Sequence, residues 1–152
     1  MLYFIAILLT CQQAQNNTNI HHSSPVQVPG TTWSKGAYGT ARASVGAIKT
    51  DGTLWRWGRN YWGGLGINES EGGSRSSPIQ VPGTWSSVSL TYLGSFGLKT
   101  NGELWAWGQN DSGQLGQNNT TKRSSPVQVG SDTNWSVINS SFAGSRAIKE
   151  IG

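Results

Sequence analysis

The stretch Lys99–Asn110, KTNGELWAWGQN, decides the fold because it has a near copy at Lys49–Asn60, KTDGTLWRWGRN. The offset between the copies is 50 at every position, and a third start at Ile148–Gly152 matches Ile48–Gly52. A fixed period of this length is typical of repeat architectures. The match continues beyond the two stretches at Gly63/Gly113, Leu65/Leu115 and Gly66/Gly116.

A second block occurs three times, at Ser24–Val28, Ser77–Val81 and Ser125–Val129, with the pattern Ser-Pro-Val/Ile-Gln-Val. Proline is tolerated at the first residue of a strand or on a sheet edge. Each block therefore predicts a short strand beginning near its proline. A tryptophan follows each block and predicts the start of a further strand, as in Trp85–Leu90; the three tryptophans are Trp33, Trp85 and Trp135.

Asp51-Gly52 and Asn101-Gly102 separate runs of alternating apolar residues. Asp-Gly and Asn-Gly favour type I′ hairpin turns, in which both central residues have positive φ. We therefore predict two hairpins. One pairs Val45–Lys49 with Leu54–Gly58, and the other pairs Leu93–Lys99 with Leu104–Gly108.

Each repeat thus contains about four short strands. The two tryptophans of each Leu-Trp-x-Trp-Gly run lie two residues apart and share one face of their strand. Four antiparallel strands in about 50 residues fit a propeller blade. The predicted fold is all-β, a partial β-propeller of about three four-stranded antiparallel blades of roughly 50 residues.

Composition supports strands and excludes several classes of protein. Charged residues are only 12%, while the chain has 21 Gly and 8 Trp, which disfavours both helices and disorder. The net charge is +4, but the only adjacent basic pair is Lys122-Arg123, so no nucleic-acid partner is expected. One cysteine, Cys11, and one histidine pair, His21-His22, predict no disulfide, metal or other cofactor.

Leu104–Asn110 followed by Gly113-Gln114-Leu115-Gly116 resembles the signature of regulator of chromosome condensation repeats. The Leu54–Gly66 copy agrees except at Gly64, where the signature has Gln, and the Pro-Val-Gln-Val block is similar as well. The resemblance covers roughly residues 12–152 and implies blades of four strands, usually seven to a closed ring. It thereby implies that further repeats are needed to close the ring.

The chain departs from this family in one place. Members often carry His-Ser or His-Thr before the Ala-Leu-Lys stretch, whereas this chain has Ser44-Val45, Gly94-Ser95 and Gly144-Ser145. The Gly-Trp-Arg-His-Thr motif of the ultraviolet-B photoreceptor branch is also absent from the sequence. The tryptophans are therefore interpreted as packing residues rather than as light sensors.

No phosphate-binding loop or nucleophile–base constellation stands out in the sequence. We expect no catalytic residues and no enzyme activity. Glu69 and Glu71 share a loop with Gly72-Gly73 that is unique to its repeat. We interpret that loop as a solvated insertion, and the alternative is a binding loop. The candidate residues are structural members of the repeat signature: Gly52, Leu54, Trp55, Trp57, Gly58, Asn60, Gly63, Leu65, Gly66, Gly102, Leu104, Trp105, Trp107, Gly108, Asn110, Gly113, Leu115 and Gly116.

The N-terminal segment, residues 1–11, is apolar and has two interpretations. It resembles a short signal or lipoprotein segment, which would place the protein at the surface or outside the cell. It is too short to span a membrane as a helix. Alternatively, an offset of 102 aligns Leu2 with Leu104 and Tyr3 with Trp105, as in a repeat altered by a shifted reading frame.

Two functions follow as expectations. The first is a non-catalytic module that binds a protein of unknown identity or serves a structural role, as such repeats do on secreted and phage or virion surfaces. The second, implied by the family resemblance, is guanine-nucleotide exchange or other regulation of small GTPases. Two complete hairpin blocks and the start of a third further predict a chain that does not behave as a compact monomer.

Overall fold

The computed structural model describes residues 30–37, 44–69, 72–92, 94–141 and 144–150. These residues form nine β-strands and one short 3-10 helix, Tyr61–Gly63. The strands are β1 (Trp33–Ala37), β2 (Ser44–Lys49), β3 (Thr53–Gly58), β4 (Arg75–Leu90), β5 (Gly94–Lys99), β6 (Leu104–Gly108), β7 (Arg123–Gln128), β8 (Trp135–Ser141) and β9 (Gly144–Lys149).

All strand pairs are antiparallel, and neighbours in the sheet are neighbours in sequence. Strands β1 to β7 form one seven-stranded sheet in chain order, while β8 and β9 form a two-stranded sheet. The predicted all-β antiparallel class is confirmed. Among the described residues the larger sheet is open, because β1 and β7 lie at its two ends.

Strand β4 joins two groups of strands. Its residues 75–84 pair with β3, and its residues 85–90 pair with β5. We call β1–β3 with residues 75–84 the first group, residues 85–90 with β5–β7 the second group, and β8–β9 the third group. The strands predicted at Ser77–Val81 and at Trp85–Leu90 are both present, but they are parts of one continuous strand, β4, although Gly83 between them has a positive φ of 113°.

Proline lies inside these strands rather than at their first residue. Pro78 is the fourth residue of β4, and Pro126 is the fourth residue of β7. Residues 75–84 pair with β3 alone in the described sheet, and β7 is the last strand of the sheet order. Both prolines therefore occupy edges, where a missing backbone N–H costs no ladder hydrogen bond.

The two predicted hairpins are confirmed, with Ile48 opposite Leu54 and Leu98 opposite Leu104. The predicted type I′ turn was wrong. The N–H of Gly52 donates to the Lys49 carbonyl at 3.0 Å, so Thr50 and Asp51 are the central turn residues. Only the glycines have positive φ, at 82° in both Gly52 and Gly102. This is the pattern of a turn followed by a left-handed glycine.

The side chain of the turn residue explains the difference. Asp51 Oδ1 accepts hydrogen bonds from the N–H of Thr53 at 2.9 Å and from its hydroxyl at 2.7 Å. These two bonds hold the pKa of the Asp51 carboxyl below its ordinary value. Asn101 Oδ1 accepts from the N–H of Glu103 at 3.3 Å in the second hairpin. A side chain that bonds two residues ahead stabilises this turn without positive φ of its own.

The main core lies between the first and second groups. Trp107 is 0% exposed, and its ring centroid lies 5.6 Å from that of Trp85. Its indole N–H donates to the Gly64 carbonyl at 3.0 Å. Trp57 is also buried, whereas Trp55 and Trp105 are half-buried. The cluster consists of Ile48, Leu54, Val81, Trp85 and Trp107, and we call it the first junction cluster.

Several sequence predictions lie outside the described residues. They concern residues 1–11, Cys11, His21-His22, the block Ser24–Val28 and Glu71. Within the described part, Glu69 forms an ion pair with Arg75 at the base of its loop. That part contains no helix long and apolar enough to cross a membrane.

Candidate functional site

A groove of about 410 Å³ opens where the first and second groups meet. Its walls come from the loop after β3, from β4, from the last residue of β5, from the start of β6 and from the middle of β7. Apolar and aromatic side chains dominate, which is the usual character of a binding cleft. The groove is lined by Gly66, Ile67, Asn68, Ile79, Gln80, Pro82, Gly83, Trp85, Lys99, Trp105, Ser125 and Pro126.

Lys99 supplies a positive charge in this lining. Its Nζ lies 3.7 Å from the centroid of the Trp105 ring and 5.7 Å from that of Trp85. Glu103 Oε2 lies 3.7 Å from the same Nζ and accepts the Trp105 indole N–H at 3.0 Å. The ammonium is therefore balanced by one carboxylate and two ring faces, and the groove carries little net charge.

The same lysine–tryptophan stack recurs in the other repeats. Lys49 Nζ lies 4.2 Å from the ring centroid of Trp55 and 5.1 Å from that of Trp33, and Lys149 Nζ lies 4.6 Å from that of Trp135. Each cation–π contact contributes about 0.5–1 kcal/mol at an exposed site. The sequence analysis missed these lysines, although their 50-residue spacing was available as a signal.

Arg56 is the clearest difference between the repeats, since Ala106 holds the equivalent position. The Arg56 side chain is 1% exposed, and burial lowers its pKa to about 9. Its guanidinium donates to the Val45 carbonyl at 3.1 Å, to Ser95 Oγ at 2.8 Å and to Ser44 Oγ at 3.2 Å. No carboxylate of the described residues pairs with it.

Arg56 therefore connects the first group with the second through neutral partners. Ser95 lies on β5, and its hydroxyl in turn donates a hydrogen bond to the Gly64 carbonyl at 3.2 Å. The hydrogen-bond network of Arg56 therefore extends to the loop after β3. Gly46 opposite makes room for this side chain, since a Cβ there would lie 2.9 Å from Arg56 Cδ. The alternation of apolar and polar residues along the strand could not have predicted a buried arginine at a position that the other repeat fills with alanine.

The signature residues after β3 and β6 build two equivalent loops. Asn60 Oδ1 accepts the Leu65 N–H at 3.1 Å, and Asn110 Oδ1 accepts the Leu115 N–H at 2.9 Å. All four of these residues are at most 1% exposed. Tight backbone bends complete both loops, with positive φ at Gly63, Gly66, Gly113 and Gly116.

The described residues contain no group of three His, Cys, Asp or Glu side chains placed to hold a metal ion. What the described residues do provide is an apolar groove with a balanced cation. Such features suit non-covalent contact with another polypeptide. The absence of catalysis stays a prediction.

Sequence comparison identifies the repeats. Profiles of the regulator of chromosome condensation repeat match residues 101–146 and residues 85–114. Residues 85–146 carry regulator of chromosome condensation repeats. No curated protein sequence matches it significantly.

Solved structures show the same fold at low sequence identity. The structure of Kap60 bound to yeast RCC1 (Prp20) matches with a TM-score of 0.74 and 18% identity, covering 92% of this chain and 36% of that one. Human WBSCR16 matches with a TM-score of 0.68 and 18% identity, and the match covers 84% of this chain and 34% of WBSCR16. Prp20p from Saccharomyces cerevisiae, whose structure was solved together with its binding properties to Gsp1p and histones, matches with a TM-score of 0.65 and 14% identity. The match covers 93% of this chain and 39% of Prp20p. This chain therefore spans little more than a third of each matched chain.

Proposed function

We propose that this chain is a non-catalytic propeller segment that binds a protein partner through the groove between its first and second groups. The first two groups each contain four strands or strand portions, and the third contains two described strands. This arrangement favours three blades in the segment. Further repeats would complete a propeller ring of which this segment is a part.

The observation that carries the proposal is the groove itself. It combines partly exposed apolar side chains with a half-buried Trp105 between flanking strands. Tryptophan in a partly desolvated cleft is a frequent centre of binding energy in protein interfaces. The Gsp1p and histone binding named for Prp20p supports a protein partner for this fold.

The test fills the groove without disturbing the core. Gln80 is exposed and lines the groove, so Gln80→Trp should block a partner. Ser77 is exposed on the same strand but outside the groove lining, so Ser77→Trp is the matched control. The full-length wild type and both variants serve as baits against an extract of the source cells, followed by titration of any captured protein after purification.

A partner retained by the wild type and by Ser77→Trp, with at least tenfold weaker binding to Gln80→Trp, supports the proposal. Equal binding to all three proteins would place the interface elsewhere. Release of labelled guanine nucleotide from small GTPases tests the alternative exchange function, which rests on family analogy and on the fold similarity to Prp20p. If this chain accelerates nucleotide release, the result would favour GTPase regulation over a purely structural role.

A further inference from the structure

We infer that Arg59, Tyr61 and Trp62 form a second docking surface, which binds a protein segment carrying a carboxylate beside an aromatic side chain. The three residues lie in the loop after β3, and we call them the loop patch. The groove is a different surface, because none of the three residues lines it. The loop after β6 provides an internal comparison, since it occupies the equivalent place in the next repeat.

The loops after β3 and β6 share one backbone scaffold. The N–H of Gly66 donates to the Gly63 carbonyl at 2.9 Å, and the equivalent bond from Gly116 to the Gly113 carbonyl is 3.1 Å. The asparagine of each loop accepts the N–H of the leucine five residues later, at 3.1 Å and at 2.9 Å. The differences between the two loops described next are therefore not imposed by loop architecture.

The side chains on this scaffold differ in charge and in aromatic character. Arg59, Tyr61 and Trp62 stand where the second loop has Gln109, Asp111 and Ser112. Asp111 Oδ2 accepts from Gln109 Nε2 at 2.7 Å and lies 3.8 Å from Lys122 Nζ, so its charge is balanced within the chain. Among the described residues no carboxylate forms an ion pair with Arg59. Arginine, tyrosine and tryptophan are the residue types most enriched at the energetic centres of protein interfaces.

The backbone of Trp62 is strained. Its φ of 50° and ψ of 28° lie in the left-handed region, where a bulky side chain is a genuine outlier. The equivalent Ser112 has a negative φ, so the scaffold does not require this conformation. All other described residues with positive φ are glycines or asparagines. Strained backbone of this kind persists where its surroundings hold it in place, and it concentrates at functional sites.

The surroundings hold the loop against the second group. A Cβ on Gly63 would lie 2.6 Å from Ser124 Cα, so the loop backbone lies directly on β7. The N–H of Asn68 donates to the Ser124 carbonyl at 2.9 Å, and the N–H of Gly64 donates to the Tyr61 carbonyl at 2.8 Å. A surface that is fixed before binding loses less conformational entropy when a partner binds.

The arrangement of the three side chains determines the chemistry of the partner. Arg59 is exposed, and its guanidinium donates to Tyr61 Oη at 2.5 Å and lies 5.5 Å from the ring centroid. A guanidinium has five N–H donors in a planar fork, so this bond leaves donors for a carboxylate. Tyr61 and Trp62 are half-buried, with ring centroids 5.7 Å apart. Their exposed parts can pack against an aromatic ring next to that carboxylate.

The probe is the peptide acetyl-Ser-Glu-Phe-Glu-Ser-amide, titrated against the full chain and followed by saturation-transfer NMR of its phenylalanine ring. Its control has glutamine in place of both glutamates. We expect saturable binding of the acidic peptide that is about tenfold tighter than that of the control at low salt. Added salt should reduce this preference, because it screens exposed charges. Equal affinities for the two peptides, or no saturable binding of the acidic one, would overturn the inference.

Arg59→Gln removes the guanidinium from an exposed position and should weaken binding of the acidic peptide about tenfold. Lys122→Gln is the matched control, because it removes an exposed cation whose ion pair lies on the equivalent loop. The control should stay within about twofold of the wild type, since exposed ion pairs contribute little. Equal weakening in both variants would mean that the peptide responds only to the net positive charge of the chain.

Trp62→Ala and Trp62→Gly separate binding from stability. Both remove the indole, so both should weaken binding of the acidic peptide by a similar factor, about tenfold. Glycine accepts positive φ whereas alanine does not, so Trp62→Gly should melt at a higher temperature than Trp62→Ala. Binding at wild-type strength in either variant would contradict a role for the indole. Equal melting temperatures would contradict the strained backbone from which the loop patch was inferred.

Gln80→Trp separates the loop patch from the groove. The substitution lies in the groove lining and should leave peptide affinity unchanged. Loss of peptide binding in Gln80→Trp would contradict two separate surfaces. Peptide binding by a chain whose groove captures no partner would support the loop patch and remove the proposed function. A partner captured through the groove by a chain that binds no acidic peptide would have the opposite meaning.

Discussion

The interface between the first and second groups and the interface between the second and third use the same positions with different results. The first contains Trp107, fully buried against Trp85 and bonded to the Gly64 carbonyl. At the second, Trp135 is only half-buried. Among the described residues, Trp107 on β6 therefore accounts for the deeper burial at the first interface. The repeat sequence alone specifies the surfaces, but a neighbouring strand is required to bury them.

The largest expected effect comes from removing that tryptophan. Trp107→Ala eliminates the contact with Trp85 and the hydrogen bond to Gly64, and should lower the free energy of unfolding by about 3–5 kcal/mol. A thermal melt should lose its cooperative transition. Trp105→Ala, on the same strand but half-buried, is the control and should retain a transition. A melting temperature of Trp107→Ala equal to wild type would contradict the assignment of this residue to the core.

The buried arginine sharpens the comparison, because only the first interface contains it. Arg56→Lys keeps a buried cation but cannot reach three separate acceptors, so we expect a loss of about 2–3 kcal/mol. Arg56→Met keeps much of the packing and removes the buried charge, so it should be less destabilising. Urea denaturation compares the two. A larger loss in Arg56→Met would mean that the charge itself stabilises the interface.

The paired hairpin turns provide a smaller test. Gly52 and Gly102 both have φ of 82°, so alanine at either position should cost about 1–2 kcal/mol. The surroundings differ, because a Cβ on Gly102 would lie 1.9 Å from the Thr133 carbonyl oxygen, whereas a Cβ on Gly52 meets nothing closer than 3.8 Å. Gly102→Ala should therefore be the more destabilising variant in urea. Equal losses of unfolding free energy in Gly52→Ala and Gly102→Ala would show that the loop before β8 does not pack against the second hairpin.

The smallest effect on stability, within about 0.5 kcal/mol, is expected at the third group. Ile148 is 59% exposed and lies opposite Val137, which is 49% exposed, whereas Ile48 is 3% exposed. Such a surface favours self-association. Ile148→Lys should reduce the oligomers seen by size exclusion with light scattering, while Thr133→Lys, exposed in the loop, should not. If the wild type is monomeric at all concentrations, the exposed apolar residues of the third group do not cause self-association.

Much of the fold followed from the repeat. The copies at Lys49–Asn60 and Lys99–Asn110 predicted both hairpins, since alternating apolar residues and a turn pair fix the register of a short antiparallel pair. The turn type was predicted incorrectly, because the Asp51 side chain stabilises a turn in which that residue keeps negative φ. The continuous strand β4 was missed because Pro-Gly is a strong turn signal locally.

The groove was not predictable from sequence, because its walls come from segments as distant as Gly66 and Pro126. The sequence by itself determined the all-β class, the two hairpins and the repeat family, since these depend on local alternation, turn residues and a conserved spacing. The tertiary structure alone decided that Arg56 is buried without a carboxylate and that Trp57 and Trp107 are buried while Trp55 and Trp105 are not. Burial depends on the neighbouring group of strands, and one repeat does not encode which neighbour covers it.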